Sequence, residues 1–191
     1  MRVALGLWLQ PGVLRAVALG GSTPRLVTVR VGTHPVDPRV SMTPHRDRCH
    51  RPDLVDAAVR HTEVLLRHVL DPIVEAVVDD ARAAGELVGI AVVAPKRSAF
   101  QWIAQRFSTI RWADRADAQL MTDAVLTSAS RADVPVRPIT EAVARRGAAS
   151  AFGVSRGGLD DRTTAAAAAW GSEFAYDHRL PSLAASVFLA R

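Results

Sequence analysis

MRVALGLWLQPGVLRAVALGGSTPRLVTVRV, residues 1–31, decides how the rest of the chain is read. It holds three β-rich runs, Val3–Leu9, Val13–Leu19 and Arg25–Val31, separated by Gln10-Pro11-Gly12 and by Gly20-Gly21-Ser22-Thr23-Pro24. Short runs joined by turn residues predict an antiparallel meander. Met1-Arg2, the apolar Val3–Leu9 and Ala16-Val17-Ala18 also imitate a short signal peptide. Gln10-Pro11-Gly12 and Arg15 interrupt that run, which makes the hairpin the better reading.

Past the meander, periodicity disappears from Thr33 to Pro52. Pro35, Pro38, Pro44 and Pro52 stand there among Arg39, Arg46, Arg48 and Arg51, the composition of an exposed basic loop. From Asp53 to Ala84, Val55, Val59, Leu66, Val69, Ile73 and Val77 recur at the spacings of an amphipathic helix. Pro72 either kinks that helix or starts a second one capped by Asp71. Leu87–Val93, after Gly85, is a continuous apolar run and suits a strand buried on both faces in the middle of a sheet. It is far shorter than the roughly 20 residues a bilayer demands, so no transmembrane helix is expected. Ser98–Phe107 and Ala113–Ser130 read as helices, with Trp102, Ile103, Phe107, Leu120, Val125 and Leu126 in the core. Val134–Ile139 reads as a strand, Thr140–Arg146 as a short helix, and Thr163–Tyr176 as an alanine-rich helix opening after Asp160-Asp161. The order is βββ-α-β-α-β-α, with no repeat of solenoid length.

A chain of 191 residues fits one domain over 1–191, with the irregular loop at 33–52. Apolar residues at 49% and charged residues at 23% exclude a disordered, collagen-like or disulfide-built chain. The single cysteine, Cys49, excludes an intramolecular disulfide and favours a reducing cytoplasm. The bases are 23 Arg and only Lys96. A GC-rich genome alone would produce such usage, so it carries no functional weight. Charge is uneven: residues 1–51 carry eight Arg against two acids, net +6, and residues 52–86 carry three Arg against eight acids, net −5.

Three antiparallel strands followed by alternating helices and strands resemble the ribonuclease H-like superfold shared by nucleases, resolvases and actin/Hsp70-type ATPases. Met1-Arg2-Val3-Ala4-Leu5-Gly6 with Pro11-Gly12 resembles the opening strand and turn of RuvC-type Holliday-junction resolvases. Val134 to Val143 is similar to that family's last strand and following helix start, and Leu159 to Ala169 to its C-terminal acidic, alanine-rich helix. The resemblance implies an α/β fold with a mixed five-stranded sheet and helices on both faces. Leu87–Val93 would then be central and parallel to Val3–Leu9.

The resemblance also implies about four carboxylates converging on two Mg²⁺ ions, which stabilise the attacking and leaving oxygens of a phosphodiester. Carried over position by position, the first-strand aspartate falls at Trp8 or Gln10, and the central-strand glutamate near Val93 or Ala94, followed by Lys96 and Arg97. In the last helix Asp161 is the residual acid matching the motif, and Thr164 stands where the second is expected. No metal or other cofactor is therefore expected. Asp160-Asp161 also serve as helix-capping acids. Trp8 reads as a core or sheet-face aromatic before a base-stacking one.

Lys96, Arg97 and Arg106 follow the carboxyl end of the central strand, where open α/β sheets place ligands. His45, Cys49, His50 and His61 lack standard zinc spacing. Ser98 lacks a G-x-S-x-G elbow, and Gly147, Gly153 and Gly157-Gly158 read as loop glycines, with no P-loop lysine after them. The expected function is nucleic-acid binding through Arg46, Arg48, Arg51, Lys96, Arg97 and Arg106, by a domain that has lost its metal-dependent nuclease site. The alternative is a protein-interaction or scaffold domain, actin/Hsp70-like or of the threonylcarbamoyl-transfer-scaffold kind. An apolar exposed surface on the helix at 53–84 would bury a protein partner or a second copy in that case. An active nuclease using Asp160, Asp161 and Glu141 is the third reading. No membrane partner is expected.

Overall fold

Alternation along the first strand sorts its side chains between two cores. Val3, Leu5, Leu7 and Leu9 face one, while Ala4 and Trp8 face the other. The computed structural model describes residues 1–10, 13–22, 24–33, 44, 52–95, 110–155, 157–170 and 178–189. Strands β1 (Arg2–Gln10), β2 (Val13–Gly20) and β3 (Arg25–Thr33) form the meander. β4 (Glu86–Ala94) pairs in parallel with β1 and with β5 (Val136–Thr140). The sheet order is β3-β2-β1-β4-β5, with Leu87–Val93 central as the sequence predicts. A mixed five-stranded sheet in this order, helices on both faces, is the expected RNase H-like arrangement.

The helices are α1 (Pro52–Ala84), α2 (Ile110–Ala129), α3 (Glu141–Phe152), α4 (Leu159–Trp170) and α5 (Arg179–Leu189). α1 and α2 cover one face through Leu66, Leu70, Val74, Met121 and Val125. α3 and α5 cover the other. Among the described residues no helix is long and apolar enough to cross a membrane.

Several expectations need correction. Pro72 neither ends α1 nor begins another helix. It sits on the exposed side, where the carbonyl left without its amide donor meets water. Asp71 caps nothing: its carboxylate accepts hydrogen bonds from Ser128 Oγ at 2.7 Å and Arg131 Nη1 at 2.5 Å, tying α1 to the end of α2. α3 runs on to Phe152 and takes in Gly147, which packs against Val187 and is no loop residue. Gly153 ends the helix at φ 65°, donating its N–H to the carbonyls of Ala149 and Ser150. α4 opens at Leu159, so Asp160 and Asp161 lie inside its first turn. The helix expected at Ser98–Phe107 and nearly all of the basic loop at 33–52 lie outside the described residues.

α5 is the element that sequence reading misses. Arg179, Ser182 and Ser186 recur at helical spacing, but Pro181 to Ser186, Phe188 and Leu189 are all buried, so the polar side is small and weakly polar. Pro181 stands in the first turn, where its missing N–H costs nothing. Buried Ser182 and Ser186 donate back to the carbonyls of His178 and Leu183, both at 2.7 Å. The sheet face beneath α5 is made of small residues. A methyl on Gly6 would overlap the Pro181 carbonyl, and one on Gly89 the Phe188 ring. The helix thus rests almost directly on the strand backbones.

The Asp71 link makes stability depend on pH. Burial alone would raise the Asp71 pKa, but the Ser128 and Arg131 hydrogen bonds and the charges of Arg131 and Arg67 outweigh it and hold the carboxyl below its ordinary 3.8. A depressed carboxylate adds stability above its unfolded pKa and loses it as pH falls through the folded value. The stability advantage of wild type over Asp71→Asn is expected to be complete at pH 6 and to shrink below about pH 4. Urea titrations at pH 6 and pH 3 read it, and a constant difference would show that the charge is immaterial.

Candidate functional site

β1, β3, β4 and β5 all point the same way, so their carboxyl ends share one edge of the sheet. A cleft of about 620 Å³ opens at that edge. Trp8 and Leu9 reach it from β1, Val93, Ala94 and Pro95 from the end of β4, and Thr140 from the end of β5. Ala118 and Thr122 of α2, Glu141, Ala142 and Arg145 of α3, and Leu180 of α5 complete the wall. Trp8 lies on the α5 side of β1, one pleat beyond Gly6. The indole therefore emerges where α5 begins and stays half-buried.

These are the positions at which the resemblance leads one to expect a nuclease's acids. Trp8, Val93 and Ala94 offer no oxygen ligand there. Gln10, the other candidate for the first aspartate, accepts a hydrogen bond from Arg15 Nη1 at 2.6 Å. Glu141 alone among the described lining residues brings a carboxylate, and Arg145 holds it: Nε donates to Glu141 Oε1 at 3.0 Å. The same guanidinium donates from Nη1 to Asp160 Oδ1 at 2.9 Å. The Glu141 hydrogen bond first, then that to Asp160, raises the Arg145 pKa, so the group stays fully charged. Asp161 is exposed on α4 and does not line the cleft, and Thr164 is exposed as well. Among the described residues no three of His, Cys, Asp and Glu are grouped to hold a metal. Among the described residues the donors at this edge do not fit a divalent-cation pair, because one carboxylate already paired with arginine cannot replace a hydration shell.

Arg145 is the residue that sequence reasoning misses. Its signal is the i,i+4 spacing from Glu141 on a helix. Of the residues expected to bind nucleic acid, Arg46, Arg48, Arg51, Lys96, Arg97 and Arg106 lie outside the described residues. Their points of attachment are described. The chain leaves the sheet at Thr33 and at Pro95, both at the edge that carries the cleft.

No protein-family model matches the chain, and no curated protein does. Among solved structures it is similar to Thermus thermophilus RuvC in complex with a Holliday junction substrate, at 15% identity over 98% of this chain and 92% of that one, with a TM-score of 0.47. It is also similar to a second Thermus thermophilus RuvC structure, at 18% identity over 97% and 91% of the two chains, TM-score 0.48. The strand order β3-β2-β1-β4-β5, with helices on both faces, is the one expected of an RNase H-like fold. The edge at which its parallel strands end presents an indole and aliphatic side chains around an Arg145-centred ion-pair network.

Proposed function

We propose that this RNase H-like chain, acting as one domain over 1–191, binds nucleic acid without cleaving it. One observation carries the reading: both arginine-bearing segments, 34–51 and 96–109, depart from the sheet edge that holds the cleft. Arg39, Arg46, Arg48 and Arg51 belong to the first, and Lys96, Arg97 and Arg106, with no acid among them, to the second. Phosphate neutralisation with release of counterions supplies the affinity. Arg145, by pairing with both Glu141 and Asp160, offsets part of their charge and competes with a metal for their oxygens. The single Cys49 suits a reducing, cytoplasmic setting.

Salt-titrated binding to duplex, single-stranded and branched DNA tests the reading. About four neutralised phosphates give a log–log slope near −3.6 on duplex, a loss of roughly a hundredfold in affinity between 50 and 200 mM salt. Replacing Arg46, Arg48, Lys96 and Arg97 by Ala should flatten the slope and leave the fold intact. A variant that binds equally well would overturn the assignment of those residues. With Mg²⁺ present the branched DNA should stay intact; cleavage that vanishes in Asp161→Ala would restore a nuclease.

The second reading is a protein-interaction surface on the outer side of α1, where Leu54 and Val64 are 43% and 67% exposed. No measurable nucleic-acid binding at about 50 mM salt would transfer the assignment to it.

A further inference from the structure

We propose that the carboxyl-edge cleft is a stacking pocket for one unpaired nucleobase, with Trp8 as its platform. This rests on the nucleic-acid reading and adds to it what the protein does with a strand that is not paired. The cleft has the size of a small-ligand site, about 620 Å³ against the usual range of roughly 300–1,000 Å³. Its composition is that of a ring site: an indole beside the aliphatic Val93 and Leu180, with the hydroxyls of Thr122 and Thr140 within the same wall.

Charge decides between base and phosphate. Arg145 is the cleft's cation and is already shared between Glu141 and Asp160, so the interior presents no uncompensated positive charge among the described lining residues. A phosphate dianion gains little from such a wall and loses its hydration, whereas a neutral planar ring loses little and covers the half-exposed indole. Stacking on an aromatic platform is tolerant of sequence because every base has a π-face. The pocket therefore selects single-stranded or distorted nucleic acid over continuous duplex.

The test uses the full chain and a short DNA single strand carrying one 2-aminopurine, whose fluorescence is quenched by stacking. Binding is expected to quench the probe. In Trp8→Leu the quench disappears and single-strand affinity drops about tenfold, while duplex affinity and its salt slope stay as in wild type. Trp8→Phe should retain most of the quench. Because Trp8 also packs on the second core, the double variant Ala118→Leu/Ala142→Leu fills the cleft from α2 and α3 with Trp8 intact, and should also abolish the quench. An unchanged quench in both variants would overturn the pocket. So would a wild-type complex with no quench that gains one in Trp102→Ala, since the chain's own segment would then fill the cleft. Either failure leaves strand binding measurable, whereas failure of the underlying reading abolishes binding to every strand.

Discussion

Gly6→Val is expected to leave no folded protein at 25 °C. A methyl at Gly6 meets the carbonyl oxygen of Pro181, which is helix backbone and has no rotamer to move. Relief demands that α5 lift from β1 and β4, opening the core that contains Ala4, Val17, Ala91 and Leu183. Overpacking a core costs about 1–3 kcal/mol when side chains can shift, and more when backbone must. Gly6→Ala should already cost about 3 kcal/mol, against a total stability on the order of 5–15 kcal/mol. Gly157→Ala is the control: a Cβ there meets nothing within 4 Å, so it should be neutral. Urea denaturation followed by circular dichroism measures both, and a Gly6→Ala protein as stable as wild type would show that α5 does not sit where described.

Leu70→Ala should cost about 3–5 kcal/mol, the range for a fully buried leucine whose surroundings cannot collapse. Leu70 is 0% exposed on α1 and belongs to the core on the opposite face from α5. The two cores share every central strand, so the loss should appear as one shifted transition with its slope unchanged. Two separate transitions would show that the faces unfold independently and would contradict a single domain.

The strands were legible because each of them follows a simple rule. The meander runs are bounded by Gly and Pro turns, and Leu87–Val93 is apolar at every position, the mark of a strand covered on both faces. α1 was legible from its stripe. α5 was not, because its Arg179-Ser182-Ser186 side is only weakly polar, and Pro181 with two serines reads as loop until the serines are seen to bond their own backbone. At the site, the placement of Trp8, Val93 and Ala94 at the sheet edge follows from the resemblance, since strand order alone fixes which ends lie together. The role of Arg145 does not follow, because the contact with Asp160 joins two helices whose packing no local pattern encodes.

The resting of α5 on Gly6 also sets when this protein can finish folding during its synthesis. β1 leaves the ribosome well before α5, and the face it shares with β4 stays open to water until the segment around Pro181 has emerged. At roughly 5–20 residues per second that interval lasts on the order of ten seconds or more. Ala4 and Val17 are exposed throughout it, and Ala91 from the moment β4 emerges, so a nascent-chain chaperone has its longest opportunity on this face, and a chain stalled before α5 is the species most prone to aggregate.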